Sequence, residues 1–235
     1  MTTDVLLNLT PKDQLRAGRL SRRLTQLLLG LWLYGTSMAM MIRSGLGLDP
    51  WDVFHSGLAA RLPLSFGVIV TIIGALVLLL WIPLRQMPGL GTVANVVVIG
   101  AATDLALWLL PAPDSWAIRV PLLLGGVVLN GLAGALYIGA QLGPGPRDGL
   151  MTGLARRSRF SLRAVRTGIE VAVLAVGFAL GGVVGVGTVL YALAIGPLVQ
   201  TMLPWVAVRL APASTTSAPP VVSHRPAAET PGGVA

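Results

Sequence analysis

The chain contains no cysteine, only two histidines, and few charges: 11% of its 235 residues are Asp, Glu, Lys or Arg. Each shortage excludes a class of chemistry. Without thiols there is no disulfide framework, no thiolate nucleophile and no zinc–cysteine site. His55 and His224 lie far apart, the second in a polar tail, so no histidine metal cluster is expected. Soluble domains carry about 25% charged residues, and this chain has less than half of that. What it has instead is apolar surface, with 54% hydrophobic residues and a mean hydropathy of +0.78. The formal charge of +8 would suggest a nucleic-acid partner if the basic residues were clustered on a soluble face. They lie at the ends of apolar stretches, which is the pattern of a multi-pass membrane protein. Lipid is the expected partner, and nucleic acid is not.

A membrane helix needs about 20 largely apolar residues. Six stretches qualify: Leu24–Ile42, Phe66–Leu84, Thr92–Leu110, Ile118–Ala140, Val165–Gly182 and Thr188–Val208. The fifth is the least apolar, because Arg166 and Glu170 occupy its first turns; their spacing suits an ion pair on one helix face. No period-two alternation suggests a β-barrel, so the expected class is an all-α membrane protein with six transmembrane helices. Residues 1–23 read as a basic N-terminal arm, 24–110 as a first three-helix unit, 118–208 as a second, and 211–235 as a disordered tail rich in Pro, Ala, Ser and Thr. With the N-terminus inside, fourteen of the seventeen Lys and Arg residues fall on the cytoplasmic side. Both termini are therefore expected in the cytoplasm.

The sequence repeats itself at a spacing of 96 residues. Leu46 to Arg61 aligns without gaps to Leu142 to Arg157, with about half of the positions identical. The same offset carries Gly89–Val93 onto Gly185–Val189, and Ile99 and Gly100 onto Ile195 and Gly196. Three crossings per copy is an odd number, so the two copies should face opposite ways across the bilayer. Inverted repeats of this kind are a recurring architecture of secondary transporters.

Between the first two crossings, Asp49-Pro50-Trp51-Asp52 reads as a helix start: N-cap, first turn, and a carboxylate near the positive helix end. The following dozen residues are too few to span, so a re-entrant or interfacial helix is expected. Trp51, Phe54, Leu58 and Leu62 make its apolar face, and Asp52, His55 and Ser56 lie away from it. Trp51 reads as a headgroup anchor. The second copy starts at Gly145-Pro146-Arg147-Asp148, and Arg147 replaces the tryptophan and Gly145 the aspartate. Asp104 sits inside the third crossing, where a carboxylate costs about 2.5–3.5 kcal/mol on insertion scales, and its repeat equivalent is Gln200. Asn95 and Asn130 are further intramembrane polar groups, of the kind that bond helices together. The Gly-x-Gly-Thr pieces lack the strand and the lysine of a phosphate loop and read as tight turns, with Thr92 and Thr188 as caps.

The combined motif of Gly47, Pro50, Trp51, Asp52, Val53, His55, Gly57 and Leu58, followed by Pro88 to Asn95, Ile99, Gly100 and Asp104, resembles the YczE/YyaS/YitT-type bacterial integral membrane proteins. The resemblance covers about residues 25–205. It implies a bacterial inner-membrane location and small-molecule export, and it supplies no catalytic residues. Because the second copy departs at Gly145 and Arg147, the two half-sites are not chemically equivalent. The sequence thus points to a transporter or exporter of an unknown small molecule, working by alternating access. The candidate substrate- or ion-binding residues are Asp52, Asp104, Asp148, Asn95 and Gln200. No enzyme activity, metal or cofactor is expected, and a homo-oligomer is compatible with the sequence. The competing reading is a membrane accessory protein acting on a cytoplasmic partner.

Overall fold

The computed structural model describes Leu6 and residues 9–210; the tail expected to be disordered lies outside the described residues. Among these residues nine helices and no strands are found: α1 (Pro11–Arg16), α2 (Leu20–Ser44), α3 (Pro50–Ala59), α4 (Phe66–Leu84), α5 (Leu90–Leu109), α6 (Trp116–Gly139), α7 (Pro146–Arg157), α8 (Leu162–Ala179) and α9 (Val186–Val206). Five of them, α2, α4, α5, α6 and α9, are long and apolar enough to cross a membrane. The expected six becomes five by this measure, because α8 packs Arg163, Arg166 and Glu170 into 18 residues.

The sequence repeat reappears in the backbone. Helices α2 and α6, α3 and α7, α4 and α8, and α5 and α9 each begin 96 residues apart. The turns repeat as well: Gly45 and Gln141 have φ of 61° and 53°, and Gly47 and Gly143 have 121° and 119°. A side chain rarely adopts the second pair of values, which explains glycine at both positions. Across the two halves, Gly91 N–H donates to the Leu142 carbonyl at 2.7 Å, and its equivalent Gly187 N–H donates to the Leu46 carbonyl at 2.8 Å.

Helices α2 and α6 form the central pair, with α5 packed on α2 and α9 on α6. Lipid offers no hydrophobic drive between helices, so close approach of small residues does the work. A β-carbon on Gly126 would lie 2.9 Å from Met41, and one on Gly131 2.7 Å from Leu198. The short helices cross over: α3 packs on α8 of the other half, and α7 packs on α4. Large apolar side chains left outside, such as Ile82, Trp108, Phe178 and Trp205, cover the outer surface of the bundle.

Local capping follows the residue types. Thr10 accepts from Asp13 N–H at the start of α1, and Ser65 and Ser161 cap α4 and α8. Thr92 and Thr188 bond to the backbone N–H of Gly89 and Gly185 from inside the helices, so the glycines, not the threonines, hold the cap positions. Arg23, grouped in the sequence with the solvated basic arm, is fully buried. Its guanidinium donates to the carbonyls of Ala140 and Gln141 at 2.8 and 2.6 Å, closing the loop after α6.

Candidate functional site

Helix α3 begins where Asp49 turns its side chain back: Oδ1 accepts from Trp51 N–H at 2.9 Å and Asp52 N–H at 3.1 Å. Pro50 fits the first helical turn because it has no N–H to lose. Once started, α3 buries Trp51, Asp52, Val53, His55 and Gly57, and leaves Phe54 and Leu58 half exposed. This reverses the face expected from hydropathy. The polar residues turn inward because they have a partner there: Arg147, carried in from α7 of the other half.

The N-terminal ends of α3 and α7 meet at a cavity of about 390 Å³, large enough for a small organic molecule. Positions 96 residues apart line it together: Pro50 and Pro146, Trp51 and Arg147, Tyr34 and Asn130, Asn95 and Tyr191, Ile99 and Ile195. Trp51 and Arg147 are in contact, with the guanidinium carbon 4.9 Å from the ring centroid, a cation–π stack. The tryptophan expected as a headgroup anchor is therefore 6% exposed and faces the cavity.

Arg147 also lies between two buried carboxylates, 3.8 Å from Oδ1 of Asp49 and 3.8 Å from Oδ1 of Asp52. Those are ion-pair distances, too long for hydrogen bonds. Asp52 Oδ1 meets His55 Nδ1 at 3.1 Å. The second oxygens of Asp49 and Asp52, and Nε2 of His55, are buried without a hydrogen-bond partner. Burial pushes the Asp49 carboxyl up to about 7, with the neighbouring Asp52 charge adding to the rise and Arg147 opposing it. Burial likewise raises Asp52 against the pull of Arg147. The His55 ring is driven down to about 3, first by burial and then by Arg147, so it is neutral. On the other wall, Asp148 accepts from the Tyr137 hydroxyl at 3.0 Å, and Tyr191 donates to Asn130, which donates to Ser37. Arg166 and Glu170 pair at 3.0 Å, as their spacing predicts, and both line the cavity.

Of the five candidates from the sequence, Asp148, Asn95 and Gln200 line the cavity, and Asp52 lies just behind its wall, joined through Arg147. Asp104 is elsewhere. Its carboxylate accepts from the Ser65 hydroxyl and, at 2.7 Å, from Gly67 N–H, clamping the start of α4 onto α5. That is the helix-to-helix role, and it places Asp104 outside the polar path. Asp49 and Arg147 went unchosen in the sequence. The signal for them was the Trp51-to-Arg147 difference between the two copies, which marks a position where the copies meet.

The two halves also differ in how their outer helices pack. Helices α4 and α5 pack along each other: a β-carbon on Gly100 would lie 2.3 Å from Thr71 Oγ1 and 2.4 Å from the Gly67 carbonyl. Their equivalents α8 and α9 barely touch, and a β-carbon on Gly196 would meet nothing within 4 Å. The cavity is walled off on the first side, and Arg166, Glu170 and the exposed Gln200 line the parted side.

The family of unknown function DUF6198 matches residues 21–204, and the chain belongs to it. An uncharacterized protein of Haemophilus influenzae is 40% identical over 177 residues, which cover 75% of this chain and 81% of the relative. The uncharacterized membrane protein YczE of Bacillus subtilis is 34% identical over 172 residues, 73% of this chain and 80% of the relative. The uncharacterized protein YyaS of the same organism is 26% identical over 184 residues, 75% and 90% of the two chains. The resemblance read from the motifs is thereby established. No solved structure matches the chain.

Proposed function

We propose that this member of the DUF6198 family moves a small polar molecule across the bacterial inner membrane by alternating access. The two halves, α2 to α5 and α6 to α9, are inverted repeats of three crossings each, with α8 as the sixth crossing and α3 and α7 as re-entrant helices. Both termini are cytoplasmic. The charged residues that lower the hydropathy of α8 support its role as a crossing, since Arg166 and Glu170 neutralise each other and line the cavity.

One observation carries the reading: equivalent helix pairs hold one central cavity in two different ways, α4 against α5 and α8 parted from α9. Two halves of similar sequence have two nearly equal packings available. Exchanging them closes the parted side and opens the closed one, which is the rocking that inverted repeats permit. The mixed lining of tyrosine, tryptophan, asparagine and charged groups suits a solute with both polar and apolar parts.

The absence of native cysteine gives a clean test. Val199→Cys places one thiol in the cavity. In oriented vesicles, a membrane-impermeant maleimide should label it when added from either side. Labelling from one side alone would refute alternating access and favour the accessory reading, in which exposed Arg156, Arg157, Arg159 and Arg163 meet a cytoplasmic partner.

A further inference from the structure

Asp49 and Asp52 are 2% and 0% exposed, and a single guanidinium, 3.8 Å from each, is the positive charge set between them. With both carboxyls ionised, the trio carries one uncompensated negative charge inside a helical bundle. An unpaired buried charge of that kind costs several kcal/mol. The two carboxyls stand at the same helix start, Asp49 Oδ1 accepting from the Asp52 N–H at 3.1 Å, yet each retains an oxygen without a donor. Two acceptors facing one another cannot bond unless one of them holds a hydrogen.

We infer that Asp49 and Asp52 bind and release one proton, shared between their carboxyl groups, as the coupling ion of the central site. This rests on the transport reading for its purpose and on the geometry for its existence. A single proton makes the trio neutral and supplies a donor to a pair that otherwise holds only acceptors. The groups that face the pair offer no better holder. His55 on α3 already uses Nδ1 on Asp52; its Nε2 has no acceptor, and its ring edge meets Phe66 at a centroid distance of 5.9 Å, so an imidazolium would add a second unmet donor. Tyr34 on α2 and Tyr191 on α9 offer only hydroxyls, that of Tyr191 donating to Asn130, and Arg147 on α7 is the guanidinium already paired with both acids. Asp148, also on α7, is held by Tyr137. Release of the proton restores the net negative charge beside Arg147 and Trp51, and so changes what the cavity wall offers to a solute. A cationic group and a proton would compete for it.

The test is infrared difference spectroscopy on the full-length protein in lipid nanodiscs, titrated in sodium and in potassium buffers. The wild type should show the carbonyl stretch of a protonated carboxylic acid at neutral pH. That band should fade as the pH rises, and it should be unchanged when sodium replaces potassium. Asp49→Asn and Asp52→Asn should each remove it. The proposal falls if the wild type lacks the band, if the band survives both substitutions, or if sodium abolishes it at constant pH, which would make the pair a sodium site. The wild-type titration decides the matter even if neither variant folds. A band that behaves as expected while Val199→Cys labels from one side alone would keep the proton site and sink the transport reading; the opposite pair of results would do the reverse.

Discussion

Gly196→Ala separates a moving pair of halves from a fixed bundle. In the described conformation a β-carbon at Gly196 meets nothing within 4 Å, so alanine should stabilise α9 by roughly 0.5–1 kcal/mol through helix propensity. If the halves exchange packings, α9 must close on α8 as α5 closes on α4. Gly196 would then take the place of Gly100, where a β-carbon falls 2.3 and 2.4 Å from its neighbours, far inside van der Waals contact. Such overpacking costs about 1–3 kcal/mol. The propensity gain is common to both packings and cancels between them, so the equilibrium shifts toward the parted state by about 1–3 kcal/mol, at least about fivefold by the usual tenfold per 1.4 kcal/mol. The assay needs no substrate. Spin labels at Val171→Cys and Leu193→Cys, on exposed positions of α8 and α9, report the separation of the two helices. The parent should show a long and a short distance, and Gly196→Ala should abolish the short one without lowering the melting temperature. An unchanged distance distribution would refute the exchange.

Three further outcomes follow from the same contacts. Asp104→Ala removes the acceptor for Ser65 and Gly67; at roughly 1.5–3 kcal/mol per bond to a carboxylate, the melting temperature should fall, and Asp104→Asn should recover part of the loss. Arg147→Ala leaves Asp49 and Asp52 buried without their cation, a loss of about 3–5 kcal/mol for breaking a buried pair. Adding Asp49→Asn to Arg147→Ala should recover part of the loss, since Asp52 alone then stays buried without its cation, and a double variant as unstable as the single one would mean that charge is not what Arg147 contributes. The third outcome concerns pH. The Asp49 carboxyl is raised from 3.8 to about 7, so the folded state holds its proton more tightly than the unfolded chain. That stabilisation is complete below about pH 4 and fades as the pH climbs through 7. Melting curves should show a decline over that window in the parent that Asp49→Asn lacks.

The architecture was legible in the sequence because lipid imposes a coarse code. Apolar runs near 20 residues, a constant 96-residue offset and Asp49-Pro50 at a short helix start all survive into the structure. What the sequence hid depended on contacts between distant elements. Asp104 looked like a site because an intramembrane carboxylate is expensive, but Ser65 and Gly67, 39 and 37 residues earlier, satisfy it. Hydropathy placed Trp51 on an apolar face as a headgroup anchor and Asp52 away from that face. The α7 helix that turns both toward a common cavity lies some 96 residues away, and no local pattern reports its arrival.

The inequality of the two copies has a physical cause. Where duplicated halves meet, a residue comes up against its own equivalent, and an unchanged pair of arginines at positions 51 and 147 would repel in a medium that screens poorly. Tryptophan opposite arginine turns that meeting into an attraction. It leaves Arg147 as the one positive charge at the junction, with two carboxylates, Asp49 and Asp52, to share it. Glycine at 145 removes the counterpart of Asp49, so the second helix start brings no matching acid to the N-cap. The charge imbalance therefore sits at the same positions at which the two copies differ, Asp49 against Gly145 and Trp51 against Arg147. Divergence between repeats, read position by position, marks the residues that touch across their junction.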